Sequence, residues 1–175
     1  NIFYGYETGV PNLMKNIKTD RKNKSMDYMM EVAKWTREAG IEVRGSFMIA
    51  LPGENPKLAE QTIKDAIKLD PEYAQFSITT PYPGTTLYNE IKQGKWGTLT
   101  TEDFSEYQGW NVVFLPEGYK SKDEVVEISK KAFRSFYMRP RYIIKAILNI
   151  RTLEDIKRYL IGFKALVKPL KTTKI

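Results

Sequence analysis

Apolar positions along the first ninety-five residues come in short runs that stop at turn-forming residues. Ile2–Tyr6 is apolar and aromatic and gives way to Gly5-Tyr6-Glu7-Thr8-Gly9, which predicts a strand followed by a loop. A polar, basic stretch at Lys15–Lys24, with Asp20 and Asn23 as turn formers, separates this strand from a helical pattern. Ser25 stands at the N-cap of that helix, Met26, Met29, Met30, Val32, Ala33 and Trp35 supply its apolar face, and Gly40 takes the C′ position. Ile41–Leu51 is β-branched and apolar and breaks at Pro52-Gly53. The near-continuous apolar run Phe47–Leu51 predicts a strand buried on both faces. Pro56 suits the first turn of a helix over Lys57–Leu69, with Leu58, Thr62, Ala66 and Leu69 on one face. Tyr73–Thr80 predicts another strand, with Ala74, Phe76 and Ile78 on one side. It runs into Pro81-Tyr82-Pro83-Gly84-Thr85 and a short helix over Thr86–Gln93, closed by Gly94. The order β-α-β-α-β-α predicts an α/β fold with parallel strands.

After Lys95 the texture changes. Residues 96–115 are rich in aromatics, Thr and Gly, with a short strand expected at Trp110–Leu115. Ser121-Lys122-Asp123-Glu124 has capping-box spacing and opens a helix whose face is Val125, Ile128, Ala132, Phe133 and Phe136. Pro140 interrupts it, and a further helical run extends through Asn149. A last helix is expected from Thr152, with Leu153, Ile156, Leu160, Phe163, Leu166 and Val167 on one face. The pattern divides the chain into residues 1–95, an aromatic-rich connection at 96–120, and a basic helical extension at 121–175.

Composition narrows the chemistry. The chain has 175 residues and contains no Cys and no His. Disulfides, thiol nucleophiles, Cys/His metal sites and Ser-His-Asp catalysis are excluded within these residues. The net charge of +7 is uneven: residues 139–175 carry ten Lys and Arg against Glu154 and Asp155, or +8, which leaves −1 for the rest. The basicity belongs to the tail, so it does not mark the body as a nucleic-acid binder.

Three strand ends carry candidate chemistry. In parallel α/β sheets ligands bind at the carboxyl ends of strands, so Gly5-Tyr6-Glu7-Thr8-Gly9, Leu51-Pro52-Gly53-Glu54 and Thr80-Pro81-Tyr82-Pro83-Gly84-Thr85 fall on one rim. Glu7 and Glu54 offer acceptors for adjacent hydroxyls or a cation, and Tyr82 offers a ring for a planar group. Each stretch also reads as an ordinary β-to-α turn, with Glu54 or Asn55 placed to favour the next helix N-terminus. Glu7 therefore ranks above Glu54 for direct contact. No GxxxxGK loop is present, which argues against nucleoside triphosphates.

These residues in this order, together with Glu42–Glu54 and Ala74–Tyr88, resemble the carboxyl-terminal half of a radical S-adenosylmethionine (SAM) barrel. The resemblance is nearest to the branch with a preceding cobalamin-binding domain, which includes magnesium-protoporphyrin ester cyclases and hopanoid methylases. It implies strands four to six of a partial TIM-type (β/α) barrel, followed by an α-helical extension. It implies Glu7 and Thr8 near the SAM ribose and methionyl end, Ile49 beside adenine, and Thr79, Thr80, Pro81 and Tyr82 at the adenine edge. Ala50 stands where the family often has Gly, and Gly53 completes that motif. It implies SAM and a [4Fe–4S] cluster as cofactors, with cobalamin in the whole protein, and radical chemistry on a small-molecule substrate.

The family's CxxxCxxC cluster motif is absent, since the chain has no Cys. The chain also opens at Asn1 within an apparent strand. Both features create the expectation of a fragment, inactive alone, that relies on an N-terminal part of the same protein for cluster ligands. A half barrel would leave an open sheet edge that invites dimerisation. The alternative is a non-catalytic α/β binding or scaffold module with a basic helical arm. For that arm, packing on the body ranks first, a membrane surface second and nucleic acid last, and no nucleic-acid partner is expected. The expected location is cytoplasmic, with membrane-peripheral contact through the C-terminal helices as an option.

Overall fold

The computed structural model describes residues 1–17 and 25–148, together with 150, 152, 154 and 157. Strands β1 (Ile2–Glu7), β2 (Val43–Ile49) and β3 (Tyr73–Ile78) form one parallel sheet in the order β1-β2-β3. Helix α2 (Met26–Glu38) connects the first pair and α3 (Pro56–Leu69) the second. Alternation along the strands sends Tyr6, Val43, Phe47, Ile49, Ala74, Phe76 and Ile78 to one face. There they pack with Met29 and Ala33 of α2, Ile63, Ala66 and Leu69 of α3, and Val125, Ala132 and Phe136 of α5 (Lys122–Tyr137). Consecutive parallel neighbours with their helices on one face form a sector of a (β/α) barrel. The expected α/β fold with parallel strands and a helical extension is therefore the one observed.

Local signals place the elements. The Ser25 hydroxyl accepts from the Tyr28 amide at 3.2 Å and starts α2. Asn55 Oδ1 accepts from the Lys57 and Leu58 amides at 3.0 and 3.1 Å, and Pro56 follows at the first helical position of α3. Ser121 accepts from the Glu124 amide while Glu124 reaches back to the Lys120 amide, one residue before the cap, so α5 begins as its capping-box spacing predicts.

Several expectations are corrected. A short helix α1 (Pro11–Asn16) follows β1, in a region with too few residues to show a period. Trp35 is 52% exposed. The inward stripe of α2 runs through Met29, Ala33 and Thr36, a spacing that turns Trp35 off the face, and the Thr36 hydroxyl bonds Tyr4. β2 is buried on alternate residues only; Arg44, Ser46 and Met48 are half-exposed on the opposite face. After α4 (Thr86–Lys92), a two-stranded antiparallel sheet pairs β4 (Gly97–Leu99) with β5 (Phe114–Pro116). The strand expected from Trp110 thus starts four residues later, and Trp110 itself is exposed. Helix α6 (Pro140–Leu148) follows α5. Residues 18–24 of the expected connection, and nearly all of the helix expected from Thr152, lie outside the described residues.

The Phe47 ring sits between those of Tyr6 (5.7 Å) and Phe76 (5.5 Å) in the centre of this core. Phe47→Ala is expected to lower the unfolding free energy by about 3–5 kcal/mol. Urea titration checks this, with a lower midpoint at unchanged slope.

Candidate functional site

Two of the three strands end in backbone conformations that L-residues rarely adopt. Glu7 closes β1 at φ 61°, next to a register shift between Gly5 and Glu7. Ala50 follows β2 at φ 62°. Left-handed backbone at a non-glycine residue costs energy, and such strain gathers at ligand-binding positions. The Glu7 side chain lies close over Gly5, where a Cβ would stand 2.5 Å from Glu7 Oε1.

The β2 turn is held from beneath. The Glu54 amide donates to the Leu51 carbonyl at 2.9 Å, and its side chain folds back under the turn, fully buried. Glu54 Oε1 accepts from the Ala50 amide and from the Tyr119 hydroxyl, each at 2.5 Å. Oε2 has no hydrogen-bond partner among the described residues. Burial pushes the Glu54 carboxyl up to about 7, against the lowering pull of its hydrogen bonds. Burial, with the Glu54 charge beside it, raises the Tyr119 hydroxyl. Asn55, not Glu54, caps α3. Gly118 packs its backbone on the Glu54 carbonyl so closely that any side chain would collide.

Thr79 joins β3 to the same end: its amide and hydroxyl both donate to the Ile49 carbonyl, at 2.9 and 3.0 Å. Thr80 Oγ1 donates to the Ile78 carbonyl at 3.3 Å, and Pro81 is buried. The strand register thus gathers Glu7, Ile49, Ala50, Thr79 and Thr80 at one rim. Three predicted residues lie differently. Thr8 is fully buried, its hydroxyl bonded to Thr62 Oγ1 at 2.8 Å and to the Val10 amide at 3.0 Å, so it pins the β1–α1 loop to α3. Gly53 is required by its φ of 77° and by Asn16, whose Nδ2 donates to the Pro52 carbonyl at 2.8 Å. Tyr82 is half-exposed beyond the rim, its hydroxyl donating to the Tyr107 carbonyl at 3.0 Å.

Sequence reading did not anticipate Tyr119 or the inward turn of Glu54, because the two partners are 65 positions apart. The turn residues signalled a tight bend without saying which way the carboxylate points. Among the described residues no group of His, Asp and Glu could hold a metal ion. A cleft of about 910 Å³, lined by Tyr28, Arg37, Asp70, Glu72, Arg141 and Lys145 among others, includes none of the rim residues.

Comparison with known proteins follows the same line. No protein-family model matches the chain. It is 33% identical over 148 residues, 85% of its length, to an uncharacterized methyltransferase of Pyrococcus horikoshii. It is 28% identical over 141 residues to the anaerobic magnesium-protoporphyrin IX monomethyl ester cyclase of Cereibacter sphaeroides, covering 79% of the chain. It is 25% identical over 138 residues, 73% of the chain, to the bacteriochlorophyllide d C-8(2)-methyltransferase of Chlorobaculum tepidum. The chain spans only 31%, 21% and 30% of these relatives' own lengths.

The Glu54 carboxyl holds its proton more tightly in the folded state, about 7, than at its ordinary value of 4.5. Its contribution to stability is therefore complete below about pH 4.5 and is lost as pH rises to about 7, a change of about 3 kcal/mol. Unfolding free energy from urea titration across that window is expected to show this slope in the wild type and to lack it in Glu54→Gln.

Proposed function

The chain belongs to the radical SAM superfamily, in the branch of these methyltransferases and cyclases, and from that premise we propose that it forms the SAM- and substrate-facing sector of a methyltransferase or oxidoreductase barrel. The observation that carries this reading is the pair of left-handed non-glycine residues, Glu7 and Ala50, at the ends of adjacent parallel strands. Nothing in an ordinary β-to-α turn requires that strain twice on one rim.

The rim residues have the chemistry to hold SAM. Glu7 presents a carboxylate to ribose hydroxyls or to the methionyl ammonium. Ile49 and Ala50 are fully buried in the core, so their side chains support the rim from beneath, and the backbone at Ala50 is the part that adenine would approach. The backbone from Thr79 through Pro81 offers polar groups to the adenine edge, and Tyr82 offers a ring beside it. Thr8 and Gly53 act one step back, fixing the loops that carry Glu7 and Ala50. When bound beside a reduced [4Fe–4S] cluster, SAM supplies the radical or one-carbon chemistry of the reaction. These 175 residues have no cysteine to ligate such a cluster, so its thiolate ligands would come from chain outside them. β1 has no further strand beside it among the described residues, and the remaining barrel strands or a second copy would pair there.

Calorimetric titration of the full-length protein with SAM tests the proposal. The wild type is expected to bind. Glu7→Gln is expected to weaken affinity about tenfold or more, in line with a lost charge-assisted hydrogen bond, at an unchanged melting temperature. Equal affinity in the variant would remove Glu7 from the site. A wild type that fails to bind would overturn the reading in favour of a non-catalytic α/β module.

A further inference from the structure

Helix α6 meets the body through one side only. Tyr142 donates from its hydroxyl to the Glu72 carbonyl at 3.3 Å, and Lys145 Nζ pairs with Glu72 Oε1 at 2.9 Å. Just before the helix, Arg139 pairs with Asp70 at 2.9 Å and donates to the Phe136 and Ile67 carbonyls. The other side carries Ile143, Ile144, Ile147 and Leu148, the last three 57%, 60% and 76% exposed. At 3.6 residues per turn these four fall within an arc of about 140°. The helix is thus fastened by its polar and aromatic side and presents its aliphatic side outward, the reverse of a surface helix that packs on a core.

The charge of the helix itself has one sign. Arg141 borders the stripe, is 85% exposed and stands 3.8 Å from the Asp70 carboxylate, and α6 contains no acidic residue. The chain beyond Leu148 adds Arg151, Lys157, Arg158, Lys164, Lys168, Lys171 and Lys174 against Glu154 and Asp155. A protein partner of ordinary composition would leave most of these cations uncompensated. A surface that takes aliphatic side chains and is itself anionic answers both features at once. No helix among the described residues is long and apolar enough to cross a membrane, so the contact is one of lying on the surface.

We propose that α6 docks the protein on an anionic lipid bilayer, with Ile143, Ile144, Ile147 and Leu148 in the headgroup–acyl boundary and the excess of Lys and Arg in the sequence from Arg139 onward supplying the attraction to lipid phosphates. Neither element suffices alone: four aliphatic residues bind weakly, and a polybasic stretch is screened by salt, whereas the two together anchor stably. This inference stands apart from the rim and from SAM.

Co-sedimentation of the full-length protein with vesicles tests it. Phosphatidylglycerol–phosphatidylcholine vesicles are compared with pure phosphatidylcholine, at low and high salt, for the wild type and an Ile144→Asp/Ile147→Asp variant. The wild type is expected to pellet with anionic vesicles only, less at high salt, and the variant to lose about tenfold or more in affinity at an unchanged melting temperature. Failure of the wild type to pellet, or equal pelleting by the variant, overturns the proposal. A lowered melting temperature in the variant places the stripe against the protein's own core. A wild-type dimer that the variant converts to a monomer by light scattering makes it a self-association face. Each of these last two outcomes also overturns the proposal.

Discussion

The amide of Ala50 points into the protein where no strand partner can reach it, and the Glu54 carboxylate meets it there. A buried backbone N–H must find an acceptor, and a left-handed residue at a strand end turns its amide out of the ladder. Folding the glutamate back beneath its own turn supplies the acceptor within four residues. The second bond to the same oxygen, from Tyr119, draws in the connection that follows β5. One buried carboxyl thus ties the end of β2 to Tyr119, and the Gly118 backbone packs on the Glu54 main-chain carbonyl. The desolvation of that carboxyl opposes these gains, which is why its proton affinity rises. A carboxyl that is fully buried and accepts two hydrogen bonds is a fixture of the rim, not a ligand contact.

The sheet has two unlike faces. One face is sealed by α2, α3 and α5 through the aromatic series Tyr6, Phe47 and Phe76. The other carries Phe3, Arg44, Ser46, Met48, Tyr73, Gln75 and Ser77 in register rows, with the Arg44 guanidinium stacked 4.6 Å from the Tyr73 ring centre. A sheet with helices on one side and such a row of mixed side chains on the other is half of a two-sided design. In a closed barrel that second face lines the interior. The free side of β3 is occupied differently: Tyr137 bonds the Ala74 backbone through its hydroxyl, and Gly109 accepts from the Ile78 amide. Among the described residues no further strand stands beside β1.

The extension behaves as a separate piece of physics. α5 belongs to the core, with Val125, Ala132 and Phe136 fully buried. At Pro140 the chain turns, and Arg139 anchors the turn through Asp70 and two carbonyls. Beyond it, polar contacts hold the helix and aliphatic residues face away, so burial no longer drives the arrangement among the described residues.

Much of this was legible in the sequence. The three strands, the caps at Ser25 and Ser121, Pro56 at the start of α3 and the apolar face of α5 follow from local propensity and period, which act within a few residues. The strand ends were legible as a rim because parallel βα units send their turns to one side. Three things belonged to the tertiary structure alone. Trp35 and Thr36 are neighbours on α2, and only the line of approach to the sheet decides which is inward. β4 and β5 are three residues each and exist through their pairing, so neither shows a period of its own. The direction of Glu54 depends on Tyr119, 65 residues away, and on a backbone strain at Ala50 that an alanine in the sequence does not announce. Sequence determined which segments form and on which rim they end, because those are short-range properties of the chain. Which rim side chains are buried and which remain to meet a ligand was decided by long-range contacts, because burial is a property of what packs on top.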